Sequence, residues 1–345
     1  MAVPQQVIDW LLEINNPPVR YLTLTNLLRR PPESHEVRKA KSRLMQYEVT
    51  QGILRRGEEF WHDDDRAYWK YTGKHWQLIF LGHFLADRRD PRIRDGVNGI
   101  LQKRGWVSKS GGQCLTANLL AALMRLGYGD HPMVKEETEA LASRILLEGG
   151  ICCKAMDYSL LLRCHMAQPK LLLCFAQVPP EQRSREVTSA IELIVKDLLR
   201  NEVFVYVSGH QKQWQEILTR QPKKADLASG QTVLAWIQDQ RDRFLKSRGL
   251  GQRCPKQGWI KFGFPLHYNS DILEAMYALA VLGVPMTAHL ERPLRIIRDK
   301  MTAEGTWILE NSLNGKMLVD VEEKGTPSKW LSYFGHCVLS HFAGE

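Results

Sequence analysis

The chain has 345 residues and a formal net charge of +9, from 47 Lys and Arg against 38 Asp and Glu. Hydrophobic residues make up 44% and charged residues 25%, ordinary usage for a globular protein, which excludes a disordered chain or a long coiled coil. No apolar run approaches the ~18 residues of a membrane helix, and the first fifteen residues carry Asp9 and Glu13 rather than the basic flank of a secretory signal.

A cytoplasmic protein is expected. Seven cysteines, an odd number, argue for thiols or metal ligands over a disulfide framework. The length alone suits two domains or one large helical unit.

In chain order, Val7 to Ile14 reads as a helix without a hairpin partner. From Tyr21 onward one unit recurs: an apolar helix, a break, a polar turn and an amphipathic helix. Tyr21 to Leu28 is followed by the turn from Pro31 to Val37, and Trp76 to Leu81 by the turn from Asp87 to Ile93. Leu115 to Leu126 leads to Gly127–Val134, and Pro169 to Phe175 leads to Pro179–Val187. Asp271 to Leu282 leads to Gly283–Leu290, and a sixth copy begins at Trp330 without a second helix. Asp or Ser in these turns can cap the next helix, and Pro sits at early-turn positions that tolerate it.

The residues opening the second helices are Val37, Ile93, Val134, Val187 and Leu290. The last spacing, 103 residues, is about two repeats long and holds extra chain from Ser208 to Lys256. The unpaired first helix can complete the unpaired last one. The expected fold is therefore all-α: a single (α/α)6 toroid over residues 1–345, closed by the N-terminal helix, with 208–256 as a helical insertion. An open solenoid shares the hairpin unit but needs polar caps at both ends. Between hairpins stand Gly105-Trp106, Gly149-Gly150-Ile151-Cys152, Gly258-Trp259 and Gly305-Thr306-Trp307. There glycine permits a turn, and the tryptophans are expected to fill gaps between neighbours.

The hairpin repeat with its Gly-Trp turns resembles the toroid superfamily of terpenoid cyclases and protein prenyltransferases. More closely, the chain resembles bacterial prenyltransferase-like proteins built from squalene-cyclase repeats. The resemblance is carried by Lys70-Tyr71-Thr72-Gly73 with Trp76, by Cys114 to Leu119, and by Lys261 to Leu266. It is carried further by Asn314-Gly315-Lys316, Asp320 to Gly325, and Pro327-Ser328-Lys329-Trp330. It implies a central cavity that takes an apolar, isoprenoid-type ligand, with acid-assisted chemistry if the protein is an enzyme. Two departures matter. The Asp-x-Asp-Asp acid motif of the cyclases is absent, the nearest run being His62-Asp63-Asp64-Asp65, and so is the Asp-x-Cys zinc pair of the prenyltransferases.

Candidate acids are Asp320, Glu322 and Glu323, just before the last helix, and Asp271 at the start of the fifth inner helix. A buried carboxyl there would have a raised pKa suited to proton donation; the plain alternative is favourable charge at a helix N-terminus. His267, Tyr268, Trp76 and Trp330 are expected to line the cavity. Asp63, Asp64 and Asp65 are consecutive and cannot share one helix face, so they read as a turn. Cys114 and Cys164 occupy equivalent places in successive hairpins, with Cys152 and Cys153 in the linking segment and His165 next to Cys164. Cys114, Cys153, Cys164 and His165 are the candidate zinc set, against a reading as buried thiols. His336 and His341, five apart, do not share a helix face and read as packing residues.

Ser208 to Lys256 holds ten basic and four acidic residues, so +6 of the +9 lies there. It suits an anionic lipid surface or a diphosphate, or is a solvated excursion. Nucleic acid is disfavoured, because no binding motif interleaves the charges. The leading expectation is an enzyme acting on an apolar ligand; the alternatives are a non-catalytic toroid binding lipid or protein, and a carbohydrate-processing toroid. The last predicts two carboxylates roughly 5–10 Å apart across an open cleft.

Overall fold

The computed structural model describes residues 3–102, 112–147, 150, 164–207, 222–249 and 252–342. Within them the protein is mostly helical. The helices are α1 Gln5–Leu11, α2 Pro17–Leu22, α3 His35–Ser42, α4 Glu48–Leu54 and α5 Glu58–His62. They continue with α6 Lys74–His83, α7 Pro91–Leu101, α8 Gln113–Leu123, α9 Pro132–Leu147 and α10 Ala167–Phe175. The last five are α11 Arg185–Arg200, α12 Val233–Ser247, α13 Ile272–Val281, α14 Ala288–Asp299 and α15 Lys329–Phe342. Helices α2 and α8 each run on into a π-helical turn, Thr23–Leu27 and Met124–Tyr128.

Two kinds of helix follow from two sequence patterns. The first kind is apolar nearly all round: α8 buries every residue from Gln113 to Leu123 except Asn118. A helix without a polar face has to be surrounded by others. Helix α8 accordingly packs against α6 on one side and α10 on the other; α10 packs on α13, α13 on α15, and α15 on α2 and its π turn. The second kind is amphipathic. Helix α11 buries Val187, Ala190, Ile194 and Leu198 along one stripe, and its N-cap Ser184 Oγ accepts from Val187 N at 3.1 Å. Each amphipathic helix leans on its partner, in the pairs α2–α3, α6–α7, α8–α9, α10–α11 and α13–α14. The five anchor positions Val37, Ile93, Val134, Val187 and Leu290 are all buried.

The turn chemistry matches the sequence. Asp90 caps α7 ahead of Pro91, and Ser34 caps α3. Trp259 and Trp307 are 1% and 0% exposed, so both fill the interior as expected; Trp307 Nε1 donates to Ile297 O at 2.9 Å. Gly105, Trp106 and Gly149 lie outside the described residues. His336 Nε2 bonds Gly305 O and His341 Nε2 bonds Val284 O, each at 2.8 Å, which accounts for both histidines as packing groups. The first helix sits on the last repeat: Gln6 Nε2 donates to Glu304 O at 3.3 Å, and Lys329 Nζ reaches Glu13 Oε2 at 2.7 Å and Asn15 Oδ1 at 2.6 Å.

Short antiparallel ladders complete the fold. Strand β1, Val205–Val207, pairs with β2, Arg253–Pro255, in the register Val205↔Pro255. The two ends of the extra chain are therefore adjacent, and α12 lies between them in sequence. Strands β3, Trp307–Ile308, and β4, Pro327–Ser328, close the loop before α15. No described helix is long and apolar enough to cross a membrane.

The inner helices approach closely where small residues meet. A Cβ on Gly82 of α6 would lie 2.7 Å from Ala122 Cα and 2.8 Å from its Cβ in α8. Backbone cannot yield there as a flexible side chain would. Gly82→Val should therefore force the two helices apart and lower stability by about 2 kcal/mol or more, read as a fall in the urea midpoint.

Candidate functional site

All six apolar helices contribute to one cavity of about 300 Å³. Helix α2 and its π turn bring Leu22 and Asn26, α6 brings His83, and α8 with its π turn brings Asn118 and Arg125. Helix α10 brings Lys170 and Leu173, α13 brings Leu273, Glu274 and Tyr277, and α15 brings Trp330, Leu331 and Phe334. The loop from Gly263 to His267 and the α13 N-cap Asp271 close one end. The wall there is aromatic: Phe264 stacks on Trp330 with ring centres 4.5 Å apart, and Phe334 lies against both.

Asp271 is 1% exposed. Its Oδ1 accepts from Glu274 N at 2.7 Å and its Oδ2 from Gly263 N at 2.8 Å. Burial, reinforced by the Glu274 carboxylate, pushes this carboxyl from the ordinary 3.8 up to about 7 against the two N–H donors and Lys170. Four residues earlier, His267 is held in left-handed backbone with φ of 47°. Its ring lies among Tyr71, Trp76 and Phe80 at 5.8, 5.0 and 4.6 Å, and its Nε2 has no hydrogen-bond partner among the described residues. Burial, and secondarily Lys170, pulls this imidazole from 6.5 down to about 3, so it is neutral at physiological pH.

Two cations line the cavity. Lys170, 2% exposed, is ion-paired through Nζ with Glu274 Oε1. Arg125 Nη1 meets His83 Nδ1 at 3.2 Å. Burial, and secondarily Arg125, holds His83 well below its ordinary pKa, so Nδ1 accepts. Sequence patterns passed over Arg125, Lys170, Glu274, His83 and Tyr277. A signal was present: each charged one is a lone charge in an otherwise apolar helical run, where only a paired or functional group is tolerated.

The expected residues divide. Asp271, His267 and Trp330 come together in the cavity lining. Trp76, fully buried, and Tyr268 stand behind His267, with ring centres 4.9 Å apart, and do not reach the cavity. Tyr268 Oη is instead 2.9 Å from Tyr68 Oη. Glu322 closes the N-terminus of α15: Oε1 accepts from Lys329 N at 2.9 Å and Trp330 N at 3.4 Å, while Oε2 accepts from Ser328 Oγ. Burial still raises its pKa, against these bonds. Asp320 is exposed and takes Gly315 N at 2.8 Å; Glu323 is exposed and bonds Thr326 Oγ1 through its carbonyl at 2.8 Å. None of these three lines the cavity. Asp64 pairs with the buried Lys74, and Asp63 Oδ1 caps Arg66 N at 3.0 Å, the turn the sequence implied.

Cys152 and Cys153 lie outside the described residues. Among the described residues no three His, Cys, Asp or Glu side chains come together as a metal-holding group. Cys114 is buried in α8, while the His165 ring stacks on Tyr206 at 3.5 Å and lies 3.9 Å from Asp197. The candidate zinc set is thus described only in part, since Cys153 lies outside the described residues. The two cavity carboxylates do not oppose each other across a cleft: Asp271 and Glu274 are three residues apart at the start of one helix.

The two shifted groups give opposite pH slopes. A raised Asp271 pKa means the folded state holds a proton that the unfolded state releases, so this group's contribution to stability falls from about pH 4 to about pH 7. A lowered His267 pKa means the unfolded state takes a proton first, so its contribution rises from about pH 3 to about pH 6.5. Asp271→Asn should therefore gain on wild type as pH rises through the first window. His267→Asn should gain as pH falls through the second; urea unfolding across pH reads both. No protein-family profile, curated protein or solved structure matches this chain, so what the cavity takes has to be read from its own residues.

Proposed function

We propose that the chain is an α/α toroid of the terpenoid-cyclase and prenyltransferase kind, which takes a small, largely apolar ligand of isoprenoid type into its cavity. Asp271 is the group for an acid-assisted step on it. One observation carries this reading: six apolar helices surround a single cavity whose aromatic wall, Phe264, Trp330 and Phe334, adjoins a buried carboxyl with a pKa near 7. The successive packing of α6, α8, α10, α13, α15 and α2 supports a ring, as does the seating of α1 on the last repeat.

A carboxyl that keeps its proton near neutral pH can deliver it to an alkene or another weak base, and aromatic faces stabilise the cation that forms. Glu274 is instead ion-paired with Lys170. A second reading, binding without chemistry, is favoured by the fact that both Asp271 oxygens already accept backbone N–H groups. The basic excursion from Ser208 to Lys256, whose ends meet at the β1–β2 ladder, is proposed as the contact to an anionic surface.

Titration with geraniol or farnesol, followed by tryptophan fluorescence, should show saturable binding to wild type. Leu173→Trp, which fills the cavity, should weaken it at least about tenfold, the equivalent of about 1.4 kcal/mol. Asp271→Asn should keep the binding and abolish any turnover. Turnover that survives in Asp271→Asn removes the acid, and binding unaffected by Leu173→Trp removes the cavity.

A further inference from the structure

The charges around the cavity do not balance, and the imbalance has one location. Lys170 has Glu274. Asp271 is spent on two backbone N–H groups. Arg125 has no carboxylate in ion-pair reach among the described residues, and its hydrogen bond goes to a neutral imidazole. A partly buried guanidinium without a carboxylate partner invites an anion, and it offers five donors of which His83 takes one.

We propose that Arg125 holds the carboxylate of the cavity's ligand, which makes the ligand an apolar carboxylic acid bound as its monoanion. This rests on the reading of the cavity as a site for an apolar molecule and adds the head group to it. One unpaired cation calls for one negative charge, and a planar guanidinium matches a carboxylate through two parallel N–H bonds. The Tyr277 hydroxyl, on the same cavity wall, is 3.3 Å from that of Tyr333, which in turn is 2.7 Å from Asn26 Nδ2. These groups give the head a polar surround.

The position of Arg125 sets the ligand's direction. It lies in the π-helical turn Met124–Tyr128, an irregularity that frequently marks functional sites. Together with Leu85 it lines both the cavity and an outer groove that also holds Arg38, Lys41 and Arg88. Cations beyond the mouth draw an anion towards it. Asn118, on the same helix seven residues earlier, donates to His267 O at 3.2 Å and so marks the Asp271 end. Seven residues at 1.5 Å each put the two ends about 10 Å apart. The carboxylate therefore stays at the groove side, and the apolar tail points along the wall of Phe264, Trp330 and Phe334 towards Asp271.

Calorimetric titration with octanoate and with octanol tests this. Octanoate should bind wild type at least about tenfold more tightly, as expected for a charge-assisted pair. Arg125→Gln should lose that preference while still binding octanol. It should unfold at the same or a higher temperature than wild type, because a partly buried cation without a carboxylate partner has been removed. Equal binding of the two probes by wild type would overturn the carboxylate and leave the apolar cavity standing. A preference kept in Arg125→Gln would overturn the role of Arg125. Binding of neither probe would overturn the cavity reading and this inference with it.

Discussion

The Asp271 carboxylate is the tie on which the cavity depends. One oxygen caps α13 through Glu274 N, and the other holds Gly263 N in the preceding loop. This single side chain thereby fixes the loop carrying Phe264 and His267 relative to the helix carrying Glu274 and Tyr277. The loop is tied from its far side as well: Phe264 N and Asn311 N bond across to Asn311 O and Phe262 O at 3.2 and 3.0 Å. The raised pKa of Asp271 is the consequence of using a charged cap in a dry place. An acid suited to proton transfer and a structural cap are here one residue, and the tension between the roles is what its environment adjusts.

Around that tie the interior keeps each charge in a separate setting. The Lys170–Glu274 pair crosses from α10 to α13 and gives two apolar helices a specific register. His267 is neutral and caged by aromatic rings, so it contributes a nitrogen unsatisfied among the described residues, without a charge. Arg125 sits just beyond the end of α8, about two turns from Asn118, where the helix loosens into a π turn. A cavity graded in this way, acid and aromatic at one end and cationic at the other, orients an asymmetric molecule and not merely an oily one.

The helical pattern was legible because it rests on local rules. Apolar runs, capping Asp and Ser, and the five buried anchor positions are set by residues within one or two turns of each other. Asp271 and Trp330 were reachable for the same reason, since helix starts can be located from sequence. Trp76 and Tyr268 shared every local property of a cavity residue, yet the left-handed turn at His267 carries its ring between them and the cavity. Glu322 was a fair candidate acid by composition; which way its carboxylate turns depends on Ser328 and the α15 amides folding back over it. Arg125 and Lys170 needed the opposite inference, from a charge that does not belong in its surroundings.

The candidate zinc residues lead to the base of the basic segment. Cys164 and His165 stand at the entry to α10, and the His165 ring stacks on Tyr206 of β1. Tyr206 is 1% exposed, its hydroxyl donates to Val203 O at 2.7 Å and reaches Gln168 Oε1 at 3.2 Å, and Lys256 lies over its ring at 5.5 Å. This is the ladder from which the basic segment departs. Gln168 also donates to Asp197 of α11, so the ladder is pinned to the α10–α11 hairpin. Lys170 is two residues beyond Gln168 on α10 and faces the cavity. The start of α10 thus meets the β1–β2 ladder through Gln168 and lines the cavity through Lys170, which sets the ends of the basic segment apart from Arg125, a cavity cation with no carboxylate partner among the described residues.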